Sequence, residues 1–163
     1  MNESLIYETF FTKLNEEFSN EIIFYKAYQR NTKEFKKYAT LYIVFDEVLK
    51  SKKQYFDREN PKEKQSNLIG FTIQVDFHNN EDDLMGLVNR VKAFLKNDKT
   101  YFYFSKRNLW LKNTSSVRSL PEQTKKTWVY RKTFDVYLQT STAHEFQVDY
   151  ISRADIQKNT ING

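Results

Sequence analysis

Leu68-Ile-Gly-Phe-Thr-Ile-Gln-Val-Asp-Phe-His78, running directly into Asn79-Asn-Glu-Asp-Asp-Leu-Met-Gly-Leu-Val-Asn-Arg-Val-Lys-Ala-Phe-Leu95, decides the fold. In the first half Ile69, Phe71, Ile73, Val75 and Phe77 share one parity, and Gly70, Thr72, Gln74, Asp76 and His78 share the other. A period of two over that length is a strand with one buried and one wetted face. In the second half Leu84, Leu87, Val88, Val91, Phe94 and Leu95 follow the i, i+3, i+4, i+7 spacing, which predicts an amphipathic helix over 81–96. Asn79 or Asn80 serves as its cap, Glu81, Asp82 and Asp83 fill its first turn, and Lys92 and Lys96 lie near its end, as the helix dipole favours. A one-sided strand leading into a one-sided helix is the signature of a sheet covered on one face.

Outward from this stretch, the N-terminal residues 3–18 carry a stripe of Tyr7, Phe11, Leu14 and Phe18 widened by Ile6 and Phe10, a second helix that Asn2 or Ser4 can cap. Residues 21–28 and 39–49 are apolar on both parities and rich in strand formers. Tyr101-Phe-Tyr-Phe104 and Leu109-Trp-Leu111 read as short strands, and 113–123 as a loop. Strand 125–140 sets Trp128, Tyr130, Phe134, Val136 and Leu138 on one face, interrupted by Lys132, with Val129, Arg131, Thr133, Asp135, Tyr137 and Gln139 on the other. A turn at Ser141-Thr-Ala143 then returns the chain through 145–152 as a hairpin. Between the second and third strands, 50–66 is charged, aperiodic and contains Pro61, which predicts a mobile loop or the tip of a protruding hairpin. The fold class is therefore α+β: a largely antiparallel sheet, two helices on one face and a projection, in a single domain over 1–152 with a polar tail at 153–163.

Composition narrows the chemistry. The 163 residues include 14 Phe and 11 Tyr, so the core is built largely of rings. With 3 Gly in the chain, the glycine-rich phosphate loops cannot be formed, and with 0 Cys, disulfides, zinc thiolates, iron–sulfur clusters and cysteine nucleophiles drop out. No apolar run reaches membrane-spanning length and the acidic N-terminus lacks a signal pattern, so the expectation is a protein of the producing cell's cytoplasm that does not enter a membrane. The net charge of +5 is modest. It permits nucleic-acid binding, but ordinary surface lysine is the better account of it.

Candidate catalytic groups do not assemble. His78 and Asp76 share a parity and form the only pair resembling a metal site, but a third ligand is missing. Asp46 and Glu47, near Lys50, point to opposite faces of a strand and cannot share a metal. Basic clusters at Lys33/Lys36/Lys37, Lys50/Lys52/Lys53 and Lys125/Lys126 lie near aromatics, as on a nucleic-acid surface, but rings are common everywhere in this chain. The reading is a protein without enzymatic activity, cofactor or metal.

The order of these elements resembles the tail terminator and neck proteins of tailed bacteriophages. The resemblance covers roughly 1–152: an N-terminal helix, a strand like Leu41-Tyr-Ile-Val-Phe-Asp-Glu47, a strand like Phe71-Thr-Ile-Gln-Val-Asp-Phe77 entering a helix like Asp82–Leu95, a loop like Ser116–Pro121 and a closing strand like Tyr130-Arg-Lys-Thr-Phe-Asp-Val136. The lysine-rich strands and the long 50–66 insertion depart from it. The resemblance implies a structural virion part, assembled in the host cytoplasm: a ring, commonly a hexamer, that ends the tail tube, meets a head connector or adaptor protein and lets the phage DNA pass. Charged positions on the wetted strand face, Arg131 and Asp135, and on the projection, Lys52, Lys53, Asp57 and Arg58, are then the candidate assembly surface. The alternative is a small nucleic-acid-binding or accessory protein using a basic aromatic surface.

Overall fold

The computed structural model describes residues 3–27, 37–56, 62–79, 84–123 and 128–147. In chain order the elements are α1 (Glu3–Phe18), β1 (Ile23–Lys26), β2 (Lys37–Phe56), β3 (Lys62–Asn79), α2 (Met85–Leu95), α3 (Asp98–Ser105), β4 (Leu109–Thr114), β5 (Arg118–Ser119), β6 (Glu122–Gln123) and β7 (Trp128–Gln147). The sheet runs β1-β2-β3-β7-β4, with the two short strands β5 and β6 laid against the start of β7. All pairings are antiparallel except β1 with β2. The class is α+β, as the residue periods predict.

The core lies between one sheet face and the helices. Cross-strand neighbours stack there in rows: Ala39, Phe77 and Lys132; Leu41, Val75 and Phe134; Ile43, Ile73 and Val136. Phe71, Ile73, Val75 and Phe77 are buried and their alternates on β3 are not, except at Gly70, Asp76 and the strand's ends. From above, α1 contributes Ile6, Tyr7, Phe10, Leu14 and Phe18, and α2 contributes Leu87, Val88, Val91 and Leu95. Rings link the layers: Phe10 stacks on Phe104 at 4.6 Å, Phe18 meets Phe94 edge-on at 5.4 Å, and Phe77 stacks on Phe134 at 5.9 Å.

Side chains finish what the ladders leave open. Where β2 bulges after Ile43, the Ile43 amide donates to the Tyr7 hydroxyl at 2.8 Å. At the outer edge of β1, the Asn15 side chain accepts from Phe24 N at 3.0 Å and donates to Phe24 O at 3.4 Å, capping an edge that would otherwise invite pairing. Asn108, the one described non-glycine residue with positive φ (60°), turns the chain from α3 into β4; its side-chain Nδ2 donates to Ser141 O at 2.6 Å.

Several expectations are corrected. Tyr101–Phe104 is helical, so three helices cover the sheet rather than two. Asn97 caps α3 by accepting from Lys99 N at 2.8 Å, and Thr100 and Phe104, four residues apart, both face inward; packing on Phe10 outweighs the strand preference of the rings. The turn at 141–143 does not form: β7 continues to Gln147 because Ser141–Gln147 pairs with Lys62–Leu68. Of the two readings of 50–66 the protruding hairpin stands: Lys50–Phe56 and Lys62–Ser66 are paired strand, and 57–61 lie outside the described residues. Asn79 pairs within β3 instead of capping, α2 begins at Met85, and 80–83 lie outside the described residues. Trp128 and Tyr130, on the core parity, are 54% and 46% exposed, since β7 starts beyond the helical layer. Thr133, on the opposite parity, is buried; Arg118 of β5 lies beside it.

Candidate assembly surface

The face of the sheet away from the helices is uncovered over much of its area. At one end it carries a polar network. Arg131 and Asp76 form an ion pair at 2.7 Å, and Gln74 Nε2 donates to both Asp76 oxygens at 2.9 and 3.0 Å. His78, directly opposite Tyr38, stacks on it at 4.7 Å. Burial pushes the His78 imidazole below its ordinary pKa, and Arg131 pushes the same way against the opposing pull of Asp76. The Asp-x-His pair is thus occupied: Asp76 holds a guanidinium and His78 holds a ring. Among the described residues no three His, Cys, Asp or Glu side chains are grouped to hold a metal.

Asp135 pairs with Arg118 at 2.8 Å, and Ser115 Oγ accepts from Asp135 N at 2.8 Å, which ties the loop after β4 to β7. Arg131 and Asp135 therefore each have a partner within the chain. Their charges shape the open face but are not free to meet a neighbour unpaired. Asp46 and Glu47 occupy consecutive positions of β2, opposite Phe71 and Gly70.

Further along, the open face is apolar and wet. Tyr42, Val44, Leu49 and Tyr137 are 40%, 49%, 43% and 40% exposed. Tyr42 and Tyr137 flank Gln74 and Thr72 of the central strand. Leu49 folds over Gly70, where a Cβ would sit 2.8 Å from its Cδ1; glycine leaves room for it. Exposed apolar side chains on one sheet face make it a candidate contact surface.

Beyond Gly70 the three central strands continue as an arm. Lys50–Phe56, Lys62–Leu68 and Ser141–Gln147 pair residue by residue, with Phe56 opposite Lys62 and Lys62 opposite Gln147. None of Lys62–Ile69 or Ser141–Gln147 is buried, so the arm stands clear of the core. At about 3.3 Å per residue it is roughly 20 Å long. Because cross-strand partners share a face, Lys50, Lys52, Lys62 and Lys64 all lie on the face that Thr72 and Gln74 open to solvent. Lys53 lies on the other, paired with Glu63 at 3.0 Å. Asp57 and Arg58 fall outside the described residues. Reading the sequence misses that Lys62 and Lys64 share a face with Lys50 and Lys52. Their period-two spacing is visible, but only the pairing with β7 makes that segment a strand.

Among the described residues no helix is long and apolar enough to cross a membrane. The family model described as "Phage neck terminator protein" matches residues 8–163, nearly the whole chain. No curated protein matches the sequence.

Proposed function

The chain belongs to the phage neck terminator family, structural parts of the phage neck and thus of the virion, and on that premise we propose that it forms a ring at the head-proximal end of the tail. The ring ends the tail tube on one side and receives the head connector on the other, with the DNA passing through its centre. A tube subunit stacks on itself indefinitely unless a different ring occupies its growing face. Such a ring needs self-complementary surfaces and two docking faces, and needs no catalytic group. The observation that supports this best is the open sheet face, with Tyr42, Val44, Leu49 and Tyr137 uncovered and a polar arm extending from it. A three-stranded arm with no buried side chain among its described ones has little stability of its own and gains it by lying on something else. The four lysines on one face of the arm favour a second reading, an accessory protein that binds nucleic acid.

The experiment is deletion of the gene followed by electron microscopy of lysates. Filled heads and separate tails, with tails of irregular length, are expected. Normally joined virions of normal tail length would overturn the structural reading.

A further inference from the structure

The outer edges of the arm are open. β1 ends at Lys26, opposite Leu41, and β4 begins at Leu109, opposite Thr140. Past those points no described strand flanks Val48–Lys52 of β2 or Thr142–Phe146 of β7. The ladder fixes where the backbone groups point. Arg131 O accepts from Leu120 N, Asp135 exchanges bonds with Ser115, and Ser141 O accepts from Asn108 Nδ2, all away from β3. The pairing of β3 with β7 has no register shift, so alternation turns the N–H and C=O of Ala143 and Glu145 outward as well. On β2, Leu41 O accepts from Ala27 N and Ile43 N donates to Tyr7, again outward. The register shifts at Ile43/Phe45 and Val48/Lys50 restore that parity, so Ser51 points outward. Elsewhere the sheet protects its edges: Asn15 caps β1, and a register shift breaks β4 between Leu111 and Asn113.

The side chains decide which edges meet. Lys50 and Lys52 of β2 and Glu145 of β7 lie on the same face of the arm. Among the described residues none of the three is in an ion pair. Two β2 edges would bring lysines against lysines, and two β7 edges would bring Glu145 towards its own copy; like charges across a strand pair are unfavourable. A β7 edge against a β2 edge brings the acid to the lysines. Within one copy these edges cannot meet, because β3 lies between them and three strands are too few to close a barrel. We infer that Thr142–Phe146 of one copy pairs with the β2 edge of the next, joining the arms into one continuous sheet. β2 and β7 both run antiparallel to β3 and are therefore parallel to each other. Side by side around an axis the arms point the same way, so the junction is a parallel ladder. Unlike edges meet, so the contact repeats from copy to copy and closes by rotation. The inference rests on the ring reading and names the backbone contact that builds the ring.

Proline and cysteine variants test it. The Ala143 amide points away from β3, so Ala143→Pro spares the ladder within the arm and removes an outward donor. The variant should melt as the wild type does by circular dichroism, and associate at least about fivefold more weakly in sedimentation. The chain has 0 Cys, so introduced thiols find only each other. Positions 52 and 143 are level on either side of Ser66 and share a face. In one copy they stand two strand spacings apart, roughly 9.6 Å, too far for a disulfide. On mild oxidation Lys52→Cys with Ala143→Cys, or Lys50→Cys with Ala143→Cys should the strands be staggered, is expected to give a ladder of covalent species beyond two copies on a non-reducing gel. Each single variant is expected to stay uncrosslinked. Association of wild-type strength in folded Ala143→Pro would overturn the contact and leave the ring reading standing. So would the absence of a ladder from both double variants. Single variants that dimerise fully would mean that like edges meet, which also overturns it. If Ala143→Pro does not fold, the thiol ladder decides. A wild type that is monomeric at every concentration would overturn pairing between free copies, while the micrographs of the gene deletion still judge the ring.

Discussion

Single side chains on the open face join strands that the backbone already pairs, and the cost of removing them follows from burial. The Asp76 side chain is 11% exposed and that of Arg131 29%. Asp76→Ala leaves the guanidinium half-buried without its carboxylate and should destabilise by about 1–3 kcal/mol, less than a fully buried pair because water reaches Arg131. Urea unfolding checks it. His78 sets a pH dependence. Its folded pKa lies below the ordinary 6.5, so below that pH the unfolded chain binds the proton first. Stability should therefore fall as pH drops from about 6.5 until the folded pKa is reached, and be flat in this respect above about 6.5. Asp76, Arg131, Glu122 and Tyr38 face the ring and stay in place in His78→Asn. Melting curves of the two proteins at pH 5 to 8 should diverge on the acid side; parallel curves would contradict the assignment.

Elements are held by what lies on them rather than by their own preferences. Phe134 is fully buried, stacked on Phe77, and has the Lys92 ammonium 5.6 Å from its ring. Phe134→Ala should cost about 3–5 kcal/mol, seen as a lower denaturation midpoint. In α2 the position to improve is Gly86, exposed and with nothing within 4 Å of where a Cβ would stand. Gly86→Ala should add about 0.5–1 kcal/mol, a rise of roughly 1–4 °C in Tm for a domain of this size. A lower Tm would mean that this surface of α2 is already covered by a partner.

At the scale of the molecule, the helices and the covered half of the sheet form the stable body, and the arm is an extension carried by the same three strands. Shortening the arm by removing 52–66 and joining the strands with a two-residue turn leaves the buried rows of Ala39, Leu41, Phe71 and Phe134 untouched. The shortened protein should melt within a few degrees of wild type by circular dichroism but fail to assemble in sedimentation. A shortened protein that does not fold would show that the arm belongs to the core.

The period-two run at 68–78, the stripe of α1 and the helix ending at Leu95 were legible from residues alone, because each pattern is a local record of one buried face. They determined the class, the helix-covered side of the sheet and most of the buried rings. The element order also carried the family. What the residues left open depends on contacts distant in sequence. Tyr101–Phe104 has a short apolar run that suits strand or helix, and Phe10, far away in the chain, decides it. The segments 50–56, 62–67 and 141–147 are largely polar and bury no face whose period could be read; a hairpin arm at 50–56 is one reading of the residues, and all three are strands because they pair with each other. Trp128 and Tyr130 follow the core parity, yet about half of each is exposed, since alternation tells which face a side chain takes but not whether a helix lies above it. Arg131 and Asp135 were legible as charges on the wetted face. That Asp76 and Arg118 hold them was decided by the pairing of strands and loops that only the folded chain brings together.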